Sequence, residues 1–170
     1  MTRVRGMTTA DWPEVERIYG EGIDDGSATF ETSPPTWESF DTGRLELGRL
    51  VAVDGGGAVL GWAAVSPVST REVYRGVVEH SVYVARSARG AGIGRDLLSA
   101  LIAETESAGI WMIQASVFAD NVASLRLHEA QGFRTVGHRE RIARSARGPF
   151  AGQWRNTILI ERRSGVVGMD

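Results

Sequence analysis

The stretch EHSVYVARSARGAGIGRDLLSALIAE (residues 79–104) runs an alternating apolar segment into a glycine-spaced turn and then into an amphipathic segment. Alternation with period two predicts a strand, and the spacing of Leu97, Leu98, Leu101 and Ile102 predicts a helix. The turn between them, Arg89-Gly90-Ala91-Gly92-Ile93-Gly94, opens that helix. A helix start exposes about four unpaired backbone N–H groups and a partial positive charge, so this junction suits a phosphate. Glycine there permits unusual backbone angles and lets an anion approach without meeting a β-carbon. The spacing is G-x-G-x-G, not the G-x-G-x-x-G of dinucleotide sites, and no acidic residue ends a strand about 20 residues further on. A P-loop needs a lysine, and the chain has none: all 19 basic residues are arginine. A glycine-rich connection with no ligand remains the plain alternative for the turn in isolation.

Outward from this unit, the order of elements is helices first, then β-β-β-α-β-α-β. TTADWPEVERIYGEGID predicts a helix over 11–22, with Pro13 near its start, and a second helix is expected over 36–48 after Pro34 and Pro35. Apolar runs at 50–53 and 58–65 flank Asp54-Gly55-Gly56-Gly57 and predict a hairpin. The helix over 92–109 is followed by a strand at 111–118, a helix over 121–131, a strand around 133–137 and a last strand at 153–163. This is an α/β (α+β) single domain with a mixed sheet packed by helices, spanning 1–164, with a frayed tail at 165–170.

Composition excludes several classes. A net charge of -2 and a pI near 6.0 give no global attraction to nucleic acid or an acidic membrane. The absence of cysteine removes disulfides, thiolate nucleophiles and thiolate metal sites; no metal is expected. No secretory signal or membrane span is legible, so a cytoplasmic protein is expected.

The pattern R-x-x-G-x-G at Arg89–Gly94, between an alternating strand and an amphipathic helix, resembles the acetyl-coenzyme A motif of the GNAT superfamily of N-acetyltransferases. DNVASLRLHEAQGF (120–133) resembles the superfamily's N-x-x-[SA]-x-x-L-[YH]-E-x-x-G-F helix. ATFETSPPT near the front and VEHSVYV at 78–84 are similar to the phosphinothricin and methionine sulfoximine N-acetyltransferase branch. The resemblance runs from about Arg3 to Arg162. It implies a mixed, mostly antiparallel central sheet, splayed between its two central strands, with helices on both faces. It also implies acetyl-coenzyme A as co-substrate, a small amino acid or toxic analogue as acceptor, direct transfer to its α-amine, and a homodimer. Acetylation of another small amine or of a protein amino terminus, and a non-catalytic acyl-coenzyme A sensor, are the competing expectations.

The resemblance places pantetheine along the backbone of Val82, Tyr83 and Val84, and the pyrophosphate at Arg89, Gly90, Ala91, Gly92, Ile93, Gly94 and Arg95. Asn121 and Ser124 would approach the coenzyme, although Asn121 equally suits a helix cap. Glu79 is the candidate base, or else a strand-end partner of an arginine; His128 is the candidate donor to the departing thiolate, or else a packed histidine. Glu79, Ser81 and Tyr83 share one strand face, and His80, Val82 and Val84 the other. For the acceptor, the resemblance points to Arg71 as a carboxylate grip with Ser69 and Thr70 beside it, to Glu79, His80 and Ser81, and to Phe30 as a wall. Arg71 as ordinary surface and Phe30 as core are the plain alternatives. Ser69 and Asn156 depart from residues common in the branch.

Overall fold

The computed structural model describes residues 2–170. Seven strands form one sheet: β1 (Arg3–Gly6), β2 (Leu50–Val53), β3 (Val59–Pro67), β4 (Val77–Val84), β5 (Met112–Phe118), β6 (Arg134–Arg144) and β7 (Trp154–Arg163). Their order is β1-β2-β3-β4-β5-β7-β6, and only β4 and β5 pair in parallel. Helices α1 (Trp12–Asp25) and α2 (Trp37–Gly43) lie on one face. Helices α3 (Ile93–Ser107) and α4 (Val122–Ala130) cover the other.

The first helix runs one turn beyond the expected 11–22, because Ile23 still belongs to its buried stripe and the first left-handed stop is Gly26 at φ 69°. The second stops earlier than expected. After Gly43 the chain turns extended at Arg44 (φ -121°, ψ 146°), and the Leu45 amide donates to Val65 O at 2.9 Å. Leu45 and Leu47 therefore pack against the α3-side core instead of continuing a helix. Strand β1 is an element that the pattern of RVRG, short and half charged, does not reveal; its pairing with β2 supplies the order. Strand β6 is longer than expected and carries an irregularity between Arg139 and Ala143. Residues 165–170, expected to fray, are tied back where Arg163 donates to Val167 O at 2.8 Å and to Gly168 O.

Two cores sandwich the sheet. Trp62, fully buried on β3, stacks on Tyr83 at 4.7 Å and meets Tyr19 and Phe40 edge-on at 5.3 and 5.6 Å. On the other face, Leu97, Leu98 and Leu101 of α3 pack against Val78, Ala63 and Val65. The decisive feature lies between β4 and β5. They pair only at Val77–Met112, Val78–Ile113 and Glu79–Gln114, and beyond this point they part, while β5 keeps pairing with β7 to Phe118. The sheet is open from His80 to Val84. No helix is long and apolar enough to cross a membrane among the described residues.

Candidate active site

The fork of β4 and β5 opens into a cavity of about 830 Å³ that reaches both faces of the sheet. On the α1/α2 face it is lined by Tyr19, Phe30, Phe40, Arg44, Glu79 and Ser81; on the α4 face it meets His80, Ser124 and His128. A passage through a sheet lets two reactants enter from opposite sides and meet at the fork.

One edge of the passage is backbone. Ala85 N–H donates to Leu60 O at 2.8 Å, and a β-carbon on Gly61 would lie 2.7 Å from Tyr83 O. This parity spends the backbone groups of Tyr83 and Ser81 on β3 and turns those of Val82 and Val84 toward the opening. Tyr83, expected to offer backbone to a coenzyme, instead contributes a side chain stacked on Trp62 in the α1/α2 core. Burial pushes the Tyr83 hydroxyl's pKa upward, so it stays a phenol.

Past Val84 the chain reaches the glycine turn. Gly90 and Gly92 adopt φ 79° and 83°, which only glycine takes without strain, and Gly92 caps α3. Asp96 is the first α3 amide bonded back along the helix, to Gly92 O at 3.1 Å, so the amides of Ile93, Gly94 and Arg95 point out of the helix end. Gly94 serves packing: a β-carbon there would sit 3.1 Å from Leu127 of α4. Asp25 holds Arg86 and Arg89 at 2.7 and 2.6 Å, setting two guanidinium groups beside the turn, and Arg95 pairs with Asp96 at 3.2 Å. Amides, cations and positive-φ glycines around Ala91 fit a pyrophosphate, and the unpaired Val82 and Val84 backbone fits an amide-bearing arm.

At the fork, Glu79 accepts from Gln114 Nε2 at 3.1 Å and forms no ion pair with any arginine among the described residues. On the opposite face of β4, His80 is buried and its Nε2 lies 2.8 Å from His128 Nε2. His80 Nδ1 contacts Gln114 O at 3.1 Å, and His128 Nδ1 contacts Ser124 O at 2.7 Å. Carbonyls only accept, so both Nδ1 atoms must carry hydrogens to make those bonds. The Nε2–Nε2 contact needs one hydrogen more. Two neutral rings hold two N–H groups for three contacts, so the pair is one proton short of full satisfaction. Burial opposes adding it: desolvation, with the neighbouring His128, lowers the His80 pKa to about 3, and desolvation also lowers that of His128. His128 is thus not an isolated donor, and His80 belongs to this pair rather than to an acceptor pocket on the Glu79 face.

Asn121 is a helix cap: its Oδ1 accepts from Ser124 N at 3.2 Å and its Nδ2 donates to Ser27 O at 2.9 Å. Ser124 Oγ sits 3.3 Å from His128 Nδ1. Phe30 meets Phe118 edge-on at 4.8 Å and lines the cavity. Ser69, Thr70 and Arg71 do not line it. Ser69 Oγ accepts from Arg71 N at 3.2 Å, and the exposed Arg71 stacks over Tyr74, 5.6 Å from its ring centre. The cavity's arginine is Arg44, which the expected longer helix concealed; Gly43, a helix stop, was the available signal. Thr157 and Ile142 are further lining residues that strand periodicity alone does not nominate. Among the described residues there is no cluster of three or more potential metal ligands.

Comparison with known proteins follows the same lines. Residues 11–133 match the family described as "Acetyltransferase (GNAT) family". The chain is 34% identical over 165 residues to L-methionine sulfoximine/L-methionine sulfone acetyltransferase of Pseudomonas aeruginosa, covering 93% of this chain and 92% of that protein. It is 34% identical over 170 residues to phosphinothricin N-acetyltransferase of Alcaligenes faecalis, covering 94% and 81%. Among solved structures, a GNAT superfamily phosphinothricin acetyltransferase from Sinorhizobium meliloti in complex with AcCoA superposes with a TM-score of 0.87 at 31% identity, covering 99% of this chain and 91% of that one.

Proposed function

From the premise that this chain belongs to the acetyltransferase (GNAT) family, we propose that it acetylates the α-amine of a small amino acid or analogue of the methionine sulfone, methionine sulfoximine or phosphinothricin type. The protein is an N-acetyltransferase, and acetyl-coenzyme A supplies the activated acetyl group. The observation that carries the acceptor reading is the passage at the β4–β5 fork: it joins the glycine turn's side of the sheet to a half-open pocket with aromatic walls and one arginine.

The α3 amides with Arg86 and Arg89 are assigned to the pyrophosphate, and the Val82 and Val84 backbone to the pantetheine arm. Glu79, held in place by the Gln114 amide, takes the proton that an α-ammonium must lose before it attacks. The buried His80–His128 pair is assigned to the wall of the fork beside the departing thiolate, and the proton that Glu79 takes from the acceptor is released to solvent, from which the thiolate is reprotonated. As a homodimer the chain would cover the apolar side chains Val136, Ile142 and Trp154, which β6 and β7 leave exposed.

The test is thiol release from acetyl-coenzyme A by the purified protein across methionine sulfone, methionine sulfoximine, phosphinothricin and the ordinary amino acids. Turnover with one of these acceptors is expected. Glu79→Gln should bind acetyl-coenzyme A as tightly as the parent and lose about 10²–10⁴-fold in kcat at neutral pH. Full turnover in that variant would remove Glu79 as the base, and inertness of the parent toward the whole panel would overturn the acceptor reading.

A further inference from the structure

Arg44 is the one arginine lining the cavity, and it has no internal counter-ion among the described residues. It leaves α2 on extended backbone, its guanidinium sits 5.6 Å from the centre of the Phe40 ring, and Nη1 donates to Ser81 Oγ at 3.1 Å. Among the described residues no carboxylate lies within 4.0 Å of it. Glu31 and Glu79 line the same cavity without pairing to it. A guanidinium carries five N–H donors in a fork matched to a carboxylate; Ser81 Oγ takes one, the Tyr19 hydroxyl lies beside the group, and no carboxylate meets the rest. A half-buried cation with no counter-ion, facing a cavity, is matched in charge and geometry to an anion from outside.

Register sets where that anion would lie. Ser81 and Glu79 are two residues apart on one face of β4, a separation of about 7 Å. An ammonium, one carbon and a carboxylate, with a hydrogen bond at each end, span that distance. A second unsatisfied group faces the same space: Thr157 Oγ1 is buried without a hydrogen-bond partner on β7. It can meet an oxygen on the acceptor's side chain. Arg71 does not reach a carboxylate held within this cavity, since it lies outside the lining and stacks on Tyr74.

We infer that Arg44, with Ser81 beside it, grips the carboxylate of the acceptor, so that the enzyme selects amines carrying an anionic group one carbon from the reacting nitrogen. This rests on the amino acid acceptor reading above and makes Arg44 a specificity-determining residue of the acceptor site.

The experiment compares the parent, Arg44→Gln, Arg44→Lys and Arg71→Gln in steady-state thiol release, using methionine sulfone and its uncharged carboxamide as acceptors. Arg44→Gln should raise KM for methionine sulfone roughly 10- to 100-fold with a smaller change in kcat. It should leave the carboxamide's kcat/KM within about two-fold of the parent and bind acetyl-coenzyme A normally. Arg44→Lys should recover part of the loss, because charge returns without the planar fork. Arg71→Gln should stay within about two-fold of the parent. An unchanged KM in Arg44→Gln, or an equal loss for both acceptors with coenzyme affinity intact, overturns the assignment while the acceptor reading stands. A parent inert toward both acceptors and the wider amino acid panel overturns the acceptor reading and this inference together.

Discussion

The His80–His128 contact gives a consequence that can be measured without substrate. Both rings are buried, and burial holds both pKa values below the ordinary 6.5, His80 down to about 3. The unfolded chain therefore binds protons near pH 6.5 that the folded chain refuses, and stability falls as pH drops from about 6.5 toward 3. His80→Gln should flatten this loss, so that its urea midpoint changes less between pH 7 and pH 5 than the parent's does. A parent midpoint that is level across this range would show that at least one ring already carries the proton. Glu79 and His128 were legible because each sits inside a motif, whereas the second ring of the pair was visible only as a neighbour of Glu79. Its partner is 48 residues away and becomes adjacent only when α4 packs over β4. Arg71 and Arg44 show the opposite error. A loop arginine looks like a ligand-binding group in sequence, but it stacks on its own neighbour Tyr74, while the arginine that enters the cavity follows a helix whose end was placed too late.

Among the elements, those with strong periodicity or glycine punctuation were readable: α3 and its turn, the β2–β3 hairpin, and β4. The misses are places where tertiary pairing overrides local preference. Strand β1 exists because β2 offers it an edge, and α2 ends early because the Leu45 amide finds Val65 O. The irregularity in β6 is the third case. Arg141 stands at φ 48°, the one non-glycine residue with positive φ among the described residues, and its amide donates to Asn156 Oδ1 at 2.8 Å. Asn156 thus supplies the acceptor at this bulge. A left-handed non-glycine residue costs about 1–2 kcal/mol, so Arg141→Gly should stabilise the fold by up to about 1 kcal/mol, offset partly by the added freedom of the unfolded chain. Asn156→Ala should destabilise by about 1 kcal/mol and Asn156→Asp should change little, since only the first removes the acceptor. Urea midpoints decide this; a destabilised Arg141→Gly would mean that its side chain contributes more than its backbone costs.

Across the whole molecule, the two halves of the passage are joined at the end of α1. Asp25 faces the glycine turn and holds Arg86 and Arg89, the next residue's carbonyl, Gly26 O, accepts from Arg155 at 2.9 Å, and Ser27 O accepts from the Asn121 cap. Arg155 is itself buried between the rings of Phe118 and Phe150, at 4.1 and 4.0 Å, and pairs with Asp120 at 3.0 Å. Its link to Gly26 spans 129 residues of sequence, and it lies in a final strand whose pattern announces only that it is a strand; nothing local signals the junction. The splay, by contrast, was foreseen from the resemblance carried by the two motifs. Removing Arg155 takes away a desolvated cation together with its aromatic stacking and its bond to the end of α1. Breaking a buried pair costs about 3–5 kcal/mol, and because the Asp120 side chain is 57% exposed and stays hydrated, Arg155→Ala should fall near the lower end of that range. Lysine should not restore it, for it can neither stack flat between two rings nor reach the carbonyl and the carboxylate at once. Because α1 ends against both halves, Arg155→Ala should raise KM for acetyl-coenzyme A and for the acceptor together. Gly92→Val, which strains only the turn at φ 83°, should raise the coenzyme KM alone. An Arg155→Ala protein that kept the parent's stability, or weakened one substrate without the other, would mean that the passage is built from two independent halves.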